Sequence, residues 1–216
     1  MRFLKFHAVY LTDFVVAYKR RCFSVLLMAM LCSCSGKEPP TVLKQGFLPD
    51  GGNICRVAVL PFVNQTSYVQ ADGIFSRVFV SELVNSGNYQ VAQEGDVRKF
   101  LQQMQVLPNQ APDIEQLRAM ADRLGAQVVI SGTITEMKES GELGDRLEPS
   151  LAVVVRVIDG DSGRTLWSTY NRREGQQYRT LMHFGKVNSV TSLAKHVSAE
   201  LVESWHKEGF FKCTEQ

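Results

Sequence analysis

The stretch DIEQLRAMADRLGAQVVISGTITEM, Asp113 to Met137, sets the fold class. Its first half places Leu117, Met120, Ala121 and Leu124 at helical spacing, so one side of a helix is apolar. Gly125 stops that helix, because glycine enters the left-handed conformation of a helix end without a side-chain penalty. Just beyond it, Val128, Val129, Ile130, Thr133, Ile134 and Thr135 have strong β propensity, so Gln127 to Met137 reads as a strand. A helix passing to a strand through one glycine belongs to an α/β architecture.

The chain on either side extends the pattern. Arg56 to Phe62 is a mostly apolar run, as in a strand buried on both faces, with Pro61 near its end. Residues 64–71 form a polar connection. Gly73 to Ser86 is a helix, with Ile74, Phe75, Val78, Phe79 and Leu83 on its period and Gly87 as its C-cap. Tyr89 to Ala92 is a short strand and Asp96 to Met104 a second helix. Glu139 to Ser150 is charged and Gly-rich and reads as a loop. Leu151 to Ile158 and Arg164 to Tyr170 are strands joined by Asp159-Gly160-Asp161-Ser162-Gly163, which has hairpin-turn composition. Asn171 to Asn188 is polar and irregular. Ser189 to His206 is the strongest helix, with Val190, Leu193, Ala194, Val197, Leu201 and Trp205 in period. The order β-α-β-α-α-β-β-β-α predicts a mixed β-sheet with packed helices. No internal repeat is present.

The N-terminal region carries a different signal. Lys19, Arg20 and Arg21 precede the apolar run Cys22 to Leu31, and Leu31-Cys32-Ser33-Cys34 follows. Basic residues, a short apolar core and small residues at a cut site make a secretory signal peptide. The apolar run has ten residues, whereas a spanning helix needs about 20. The Leu-x-Ser-Cys ending resembles the bacterial lipoprotein box. That resemblance implies that the Cys34 thiol receives a diacylglyceryl group, that cutting occurs before it, and that the new amino end is acylated. An ordinary signal peptide or a short anchor are the alternatives. Ser35, where Asp would signal retention, implies by the same analogy the outer membrane, periplasmic side. Met1 to Tyr18 mixes apolar residues with Arg2, Lys5 and Asp13, and a start downstream of Met1 would fit a signal peptide better.

Three segments follow: a lipoprotein signal peptide at 1–33, the lipidated Cys34 with a flexible tether to residue 53, and an α/β domain at 54–213. The tether reading rests on Pro39-Pro40, Pro49 and Gly51-Gly52 without a sustained apolar period. The formal charge is +2. Arg2, Lys5, Lys19, Arg20 and Arg21 against Asp13 give the signal segment +4, so the remaining chain carries −2. No basic surplus remains to suggest nucleic acid as a partner. Beyond Cys34 the mature chain has Cys55 and Cys213. An oxidising compartment favours a disulfide between them, stapling the two ends of the domain; two unpaired thiols at frayed ends are the alternative.

Catalytic motifs are not found. The chain has no Walker-type phosphate loop, nucleotide-binding glycine fingerprint or GxSxG elbow. Asp159 to Gly163 fails the calcium-loop pattern, since its fifth position is Gly163 and its twelfth is Tyr170. His196 and Glu200 are spaced i, i+4, with His206 and Cys213 further on; a solvated helix face accounts for them better than a metal site. No catalytic residue, metal or cofactor is expected, and the chain reads as a non-enzyme.

Val57-Ala58-Val59-Leu60-Pro61-Phe62-Val63-Asn64 resembles the opening strand of the CsgG-like family of bacterial envelope lipoproteins. Ser81-Glu82-Leu83, Ser86-Gly87 and Tyr89-Gln90-Val91-Ala92 follow in the family's order. Ala121 to Ile134 resembles its helix-Gly-strand segment, and Val157 to Ser168 its hairpin ending in Trp-Ser. The similarity covers roughly residues 55–205. It implies an anticodon-binding-domain-like core that binds partners, through an N-terminal lipid on the membrane, an unidentified envelope protein, and self-association as a homo-oligomer. The role implied is an assembly or secretion accessory, as in curli production. The family's activator of penicillin-binding proteins supplies the alternative, a regulator of a peptidoglycan synthase. An envelope enzyme is a third reading without a motif. Channel members add two long transmembrane hairpins. Residues 64–72 are too few for one. Residues 137–150 hold Lys138, Glu139, Glu142, Asp145, Arg146 and Glu148, and residues 171–188 hold Arg172, Arg173, Glu174, Arg179 and Lys186. No alternating lipid face results, so no pore is expected.

Overall fold

A computed structural model describes residues 41–46, 54–140, 148–180, 184–207 and 213. All lie in one unit, Pro40–Gln216. The signal segment 1–33 and Cys34 fall outside the described residues. The strands are β1 (Thr41–Gly46), β2 (Arg56–Val59), β3 (Val63–Asn64), β4 (Gln90–Val91), β5 (Val128–Ser140), β6 (Glu148–Asp159) and β7 (Thr165–Glu174). The helices are α1 (Ala71–Asn85), α2 (Glu94–Gln103), α3 (Ile114–Leu124) and α4 (Val190–Lys207), with a 3₁₀ turn at Gly175–Tyr178.

The strands form one mixed sheet in the order β1-β7-β6-β5-β2-β4, with β3 also pairing β5. β2 lies parallel to β4 and β5. The β5-β6-β7-β1 half is antiparallel. This is the mixed α/β class expected from the sequence. The sheet has two ends. One holds the β6–β7 turn and the start of β2. The other holds Ser140, Glu148 and Glu174, and the register places Thr41 there, opposite Arg172.

Three expectations need correction. The segment read as a tether to residue 53 contains β1, which pairs over six residues with the edge of β7. The partner lies more than 120 residues away in sequence, so no local period announces the strand. The run 56–62 is not one strand. Pro61 has no N–H to donate, and the ladder breaks into β2 and β3 around it. Leu60 N–H still donates to Ile130 O at 2.9 Å, and Gln65 N–H to Ile134 O at 3.0 Å, so both pieces stay on β5. Finally, β5 continues to Ser140, β6 begins at Glu148 and β7 continues to Glu174, into segments read as loop or irregular. Charged side chains that pair across neighbouring strands replace apolar alternation there, which hides the strands from a hydrophobic reading.

One face of the sheet carries the main core. α1 contributes Ala71, Phe75, Phe79 and Leu83, a stripe at every fourth residue. α4 contributes Val190, Leu193, Ala194, Val197, Leu201, Val202 and Trp205. Leu151, Val153, Val155 and Val157 of β6 alternate toward them. Within this core the Phe62 ring sits 4.8 Å from Phe75 and 5.4 Å from Phe79, Phe79 sits 5.7 Å from Trp205, and Trp205 sits 5.5 Å from Trp167. The contacts are edge-to-face, the arrangement aromatic quadrupoles favour.

The opposite face is only partly covered. α2 and α3 pack Val97, Phe100, Leu117 and Met120 on Ala58, Leu60, Val129 and Ile158. An Asp113–Gln116 capping box starts α3, with Gln116 N–H donating to Asp113 Oδ1 at 2.8 Å. Gly125 ends it in the left-handed conformation at φ 61°. Beyond Ile158, no helix among the described residues adds a buried side chain to this face.

Gly132 sits in the middle of β5 where the Phe62 ring crosses the strand. A Cβ there would collide with that ring and lie 2.7 Å from Val154 O. Gly132→Ala is therefore expected to lower stability by about 1–3 kcal/mol through overpacking. Urea unfolding followed by circular dichroism checks this. A variant as stable as the parent would show that the ring does not depend on the glycine slot.

Candidate functional site

The face of β5, β6 and β7 that no described helix covers carries an ordered set of charges. Register places Glu136 and Arg172 on either side of Ala152. With only a methyl group between them, the two long side chains meet over the central strand. Arg172 Nε approaches Glu136 Oε2 at 3.1 Å, and Ser150 Oγ donates to Glu136 Oε1 at 2.8 Å. Arg172 Nη1 also pairs with Glu174 at 2.8 Å. Lys138 Nζ lies 3.9 Å from Glu136. The Arg172 hydrogen bond holds the Glu136 carboxyl below its ordinary value, and the same bond raises Arg172. Arg156 is exposed on this face, and Val154, Ser168 and Tyr170 are half-buried. The charges on this face pair with one another.

The two residues spaced i, i+4 on α4 do share a face, but each is occupied structurally. Glu200 accepts from Arg173 Nε at 2.8 Å and from Tyr178 Oη at 2.8 Å. His196 stacks on Tyr178 with ring centroids 4.6 Å apart. Burial, followed by the Glu200 contact, pushes the Tyr178 hydroxyl up, so it stays a donor. His206 stands edge-on to Tyr89 at 6.3 Å. Among the described residues no group of three or more His, Cys, Asp or Glu could hold a metal ion. Asp159 serves the turn: its carboxylate accepts from Ser162 N–H at 2.9 Å, and Gly163 follows at φ 70°.

Cys55 and Cys213 come together as a disulfide, with Cα atoms 4.7 Å apart across 158 positions of sequence. The bridge lies at the turn end of the sheet. Gln127 fixes the same spot, its side-chain oxygen accepting from Cys55 N–H at 2.6 Å and Arg56 N–H at 3.1 Å. A concavity of about 230 Å³, which no sequence motif announces, lies beyond the carboxyl end of β2 between Pro61, Leu101, Val106, Leu107 and Pro112. Asn109, in its lining, takes a positive φ of 62°. Asn favours that conformation, and this was the readable signal.

Two outcomes follow. Replacing Cys55 and Cys213 together by Ser is expected to cost up to about 5 kcal/mol in the chain-entropy description of so long a loop. Non-reducing peptide mapping of protein from cells should show the linked pair, and two thiols free to alkylate would contradict it. Glu136→Gln should cost about 1 kcal/mol near neutral pH. The folded Glu136 titrates below its ordinary 4.5, so its stabilisation is full above that value and fades as pH falls through the lower folded value. The stability difference from the parent should hold from about pH 7 down to about 4.5 and shrink below that. A difference independent of pH would rule out an ionic contact with Arg172.

No protein-family model and no curated protein matches the chain. Among solved structures it is similar to the PelC dodecamer from Paraburkholderia phytofirmans, at 19% identity over 76% of this chain and 95% of that one, with a TM-score of 0.53. It is also similar to the lipoprotein GNA1162 from Neisseria meningitidis, at 18% identity over 71% of this chain and 99% of that one, TM-score 0.49. For the LpoB C-terminal domain from Escherichia coli the figures are 17%, 58%, 87% and 0.42. At its level of identity, the likeness to PelC shows a common fold.

Proposed function

We propose that this chain is a lipid-anchored envelope protein that works by binding partners, itself among them, and not by catalysis. The observation that carries the reading is the uncovered sheet face. Every other broad face of the sheet is packed by helices, whereas β5 to β7 present fixed charges of both signs around Arg156, Val154 and Tyr170. Such a mixed-sign surface suits a second copy of the chain. The solved PelC with the same fold is a dodecamer, which supports self-association here. The lipoprotein box supports an anchor at Cys34 and an outer-membrane, periplasmic location. The domain limits proposed are a signal peptide to residue 33, a tether at 34–40, and a folded unit from β1 to Cys213.

The short tether weighs against the synthase-regulator alternative. From Cys34 to Thr41 an extended chain spans at most about 24 Å, little for reaching a partner on the opposite membrane. A pore is not proposed either. No helix of the described residues is long and apolar enough to cross a membrane. The ends of β5 and β6 carry Glu136, Lys138, Glu139 and Glu148, charges that a lipid-facing strand excludes.

Cys34→Ala should abolish labelling of the full-length protein by a palmitate analogue; labelling equal to the parent would defeat the anchor. Mass photometry of the purified lipoprotein should show oligomers, with Arg156→Glu weakening them about ten-fold, or about 1.4 kcal/mol. A parent that stays monomeric at every concentration would defeat self-association.

A further inference from the structure

We infer that the end of the sheet carrying Phe184 lies against the phospholipid surface, with Phe184 seated in its interface. The inference rests on the lipid anchor proposed at Cys34. Its geometric basis is β1. Had residues 35–53 been free chain, the anchor would leave the domain free to turn. Instead the sheet captures the chain at Thr41, and the register fixes where: opposite Arg172, two residues before β7 ends. Seven residue steps lead from Cys34 to that point, and at about 3.4 Å each they hold it within about 24 Å of the acyl chains. The opposite end of the sheet, where Asp159 to Arg164 turn, is then the end facing away.

The loop after β7 occupies the anchored end. Val187 N–H donates to Gly175 O at 3.1 Å, and Lys186 Nζ lies 3.7 Å from Glu148 at the first residue of β6. Gln176 also donates to Glu148. Within this loop the Thr180 N–H and hydroxyl donate to Phe184 O at 2.7 and 2.9 Å, and Gly185 takes φ 79°. Phe184, held by its carbonyl to Thr180, is 74% exposed, whereas the other described phenylalanines, Phe62, Phe75, Phe79 and Phe100, are buried. Val69, 88% exposed, lies in the connection that leaves β3 toward the same end. A large exposed aromatic fits an interfacial site, where an apolar body gains about 25 cal/mol per Å² removed from water.

The test uses the full-length lipoprotein with Phe184→Trp, reconstituted into phosphatidylethanolamine–phosphatidylglycerol vesicles with and without brominated acyl chains. Asp161→Trp, in the turn at the other end, is the matched comparison. The native Trp167 and Trp205 are buried and form a common background. The tryptophan at 184 should lose about half its emission or more to the brominated lipid, since interfacial side chains sit about 5–10 Å into the headgroup boundary. The tryptophan at 161 should be unaffected. Intact mass measured first separates the two readings: an unmodified Cys34 fails the anchor and this inference with it. A lipidated Cys34 with an unquenched residue 184, or with 161 quenched more strongly, overturns the orientation alone.

Discussion

The aromatic contacts running from Phe62 through Phe75 and Phe79 to Trp205 and Trp167 are the constraint on which the rest of this structure depends. They join the break between β2 and β3, helix α1, helix α4 and strand β7 in one continuous contact. Each ring needs room that another residue supplies. Gly132 gives up its side chain beneath Phe62, and Pro61 interrupts the ladder where the chain turns that ring into the core. Ser76 Oγ accepts from the Phe62 N–H at 3.1 Å, which satisfies the donor freed by the break.

With one face so sealed, the remaining asymmetries have a physical cause. The four helices of the described residues cover one face and the β2 end of the other. The uncovered area keeps small residues, Ser150 and Ala152, in the central strand, and long charged residues on its neighbours. Those charges reach each other across the small side chains instead of meeting the core, so the face stays polar without leaving buried charge unpaired. Among the described residues Glu200, His196 and Glu136 all have side-chain partners.

The two ends of the sheet are also held differently. At the turn end, Cys55 and Cys213 and the Gln127 side chain fix the start of β2. At the other, α4 begins with Val190 N–H donating to Glu139 at 3.3 Å, and β1 brings the N-terminal segment onto β7. The disulfide thus holds one end of the sheet, and the N-terminal segment joins the sheet at the other.

The sequence by itself determined the elements whose burial is periodic and local. α3 with its Gly125 stop, α4 with its apolar stripe, the start of β5 and the Asp159–Gly163 turn are all legible, because helix periodicity and turn chemistry act over a few residues. What tertiary structure decided is what depends on distant partners. β1 has no period of its own, and it is a strand only because the edge of β7 offers it hydrogen-bonding groups. The charged ends of β5, β6 and β7 read as loops until Glu136, Ala152 and Arg172 are seen in register. Composition could suggest that Cys55 and Cys213 form a pair, but only the fold brings their Cα atoms to 4.7 Å. Hydrogen-bond ladders and ion pairs between strands carry no mark in local sequence, because the groups that satisfy each residue lie elsewhere in the chain.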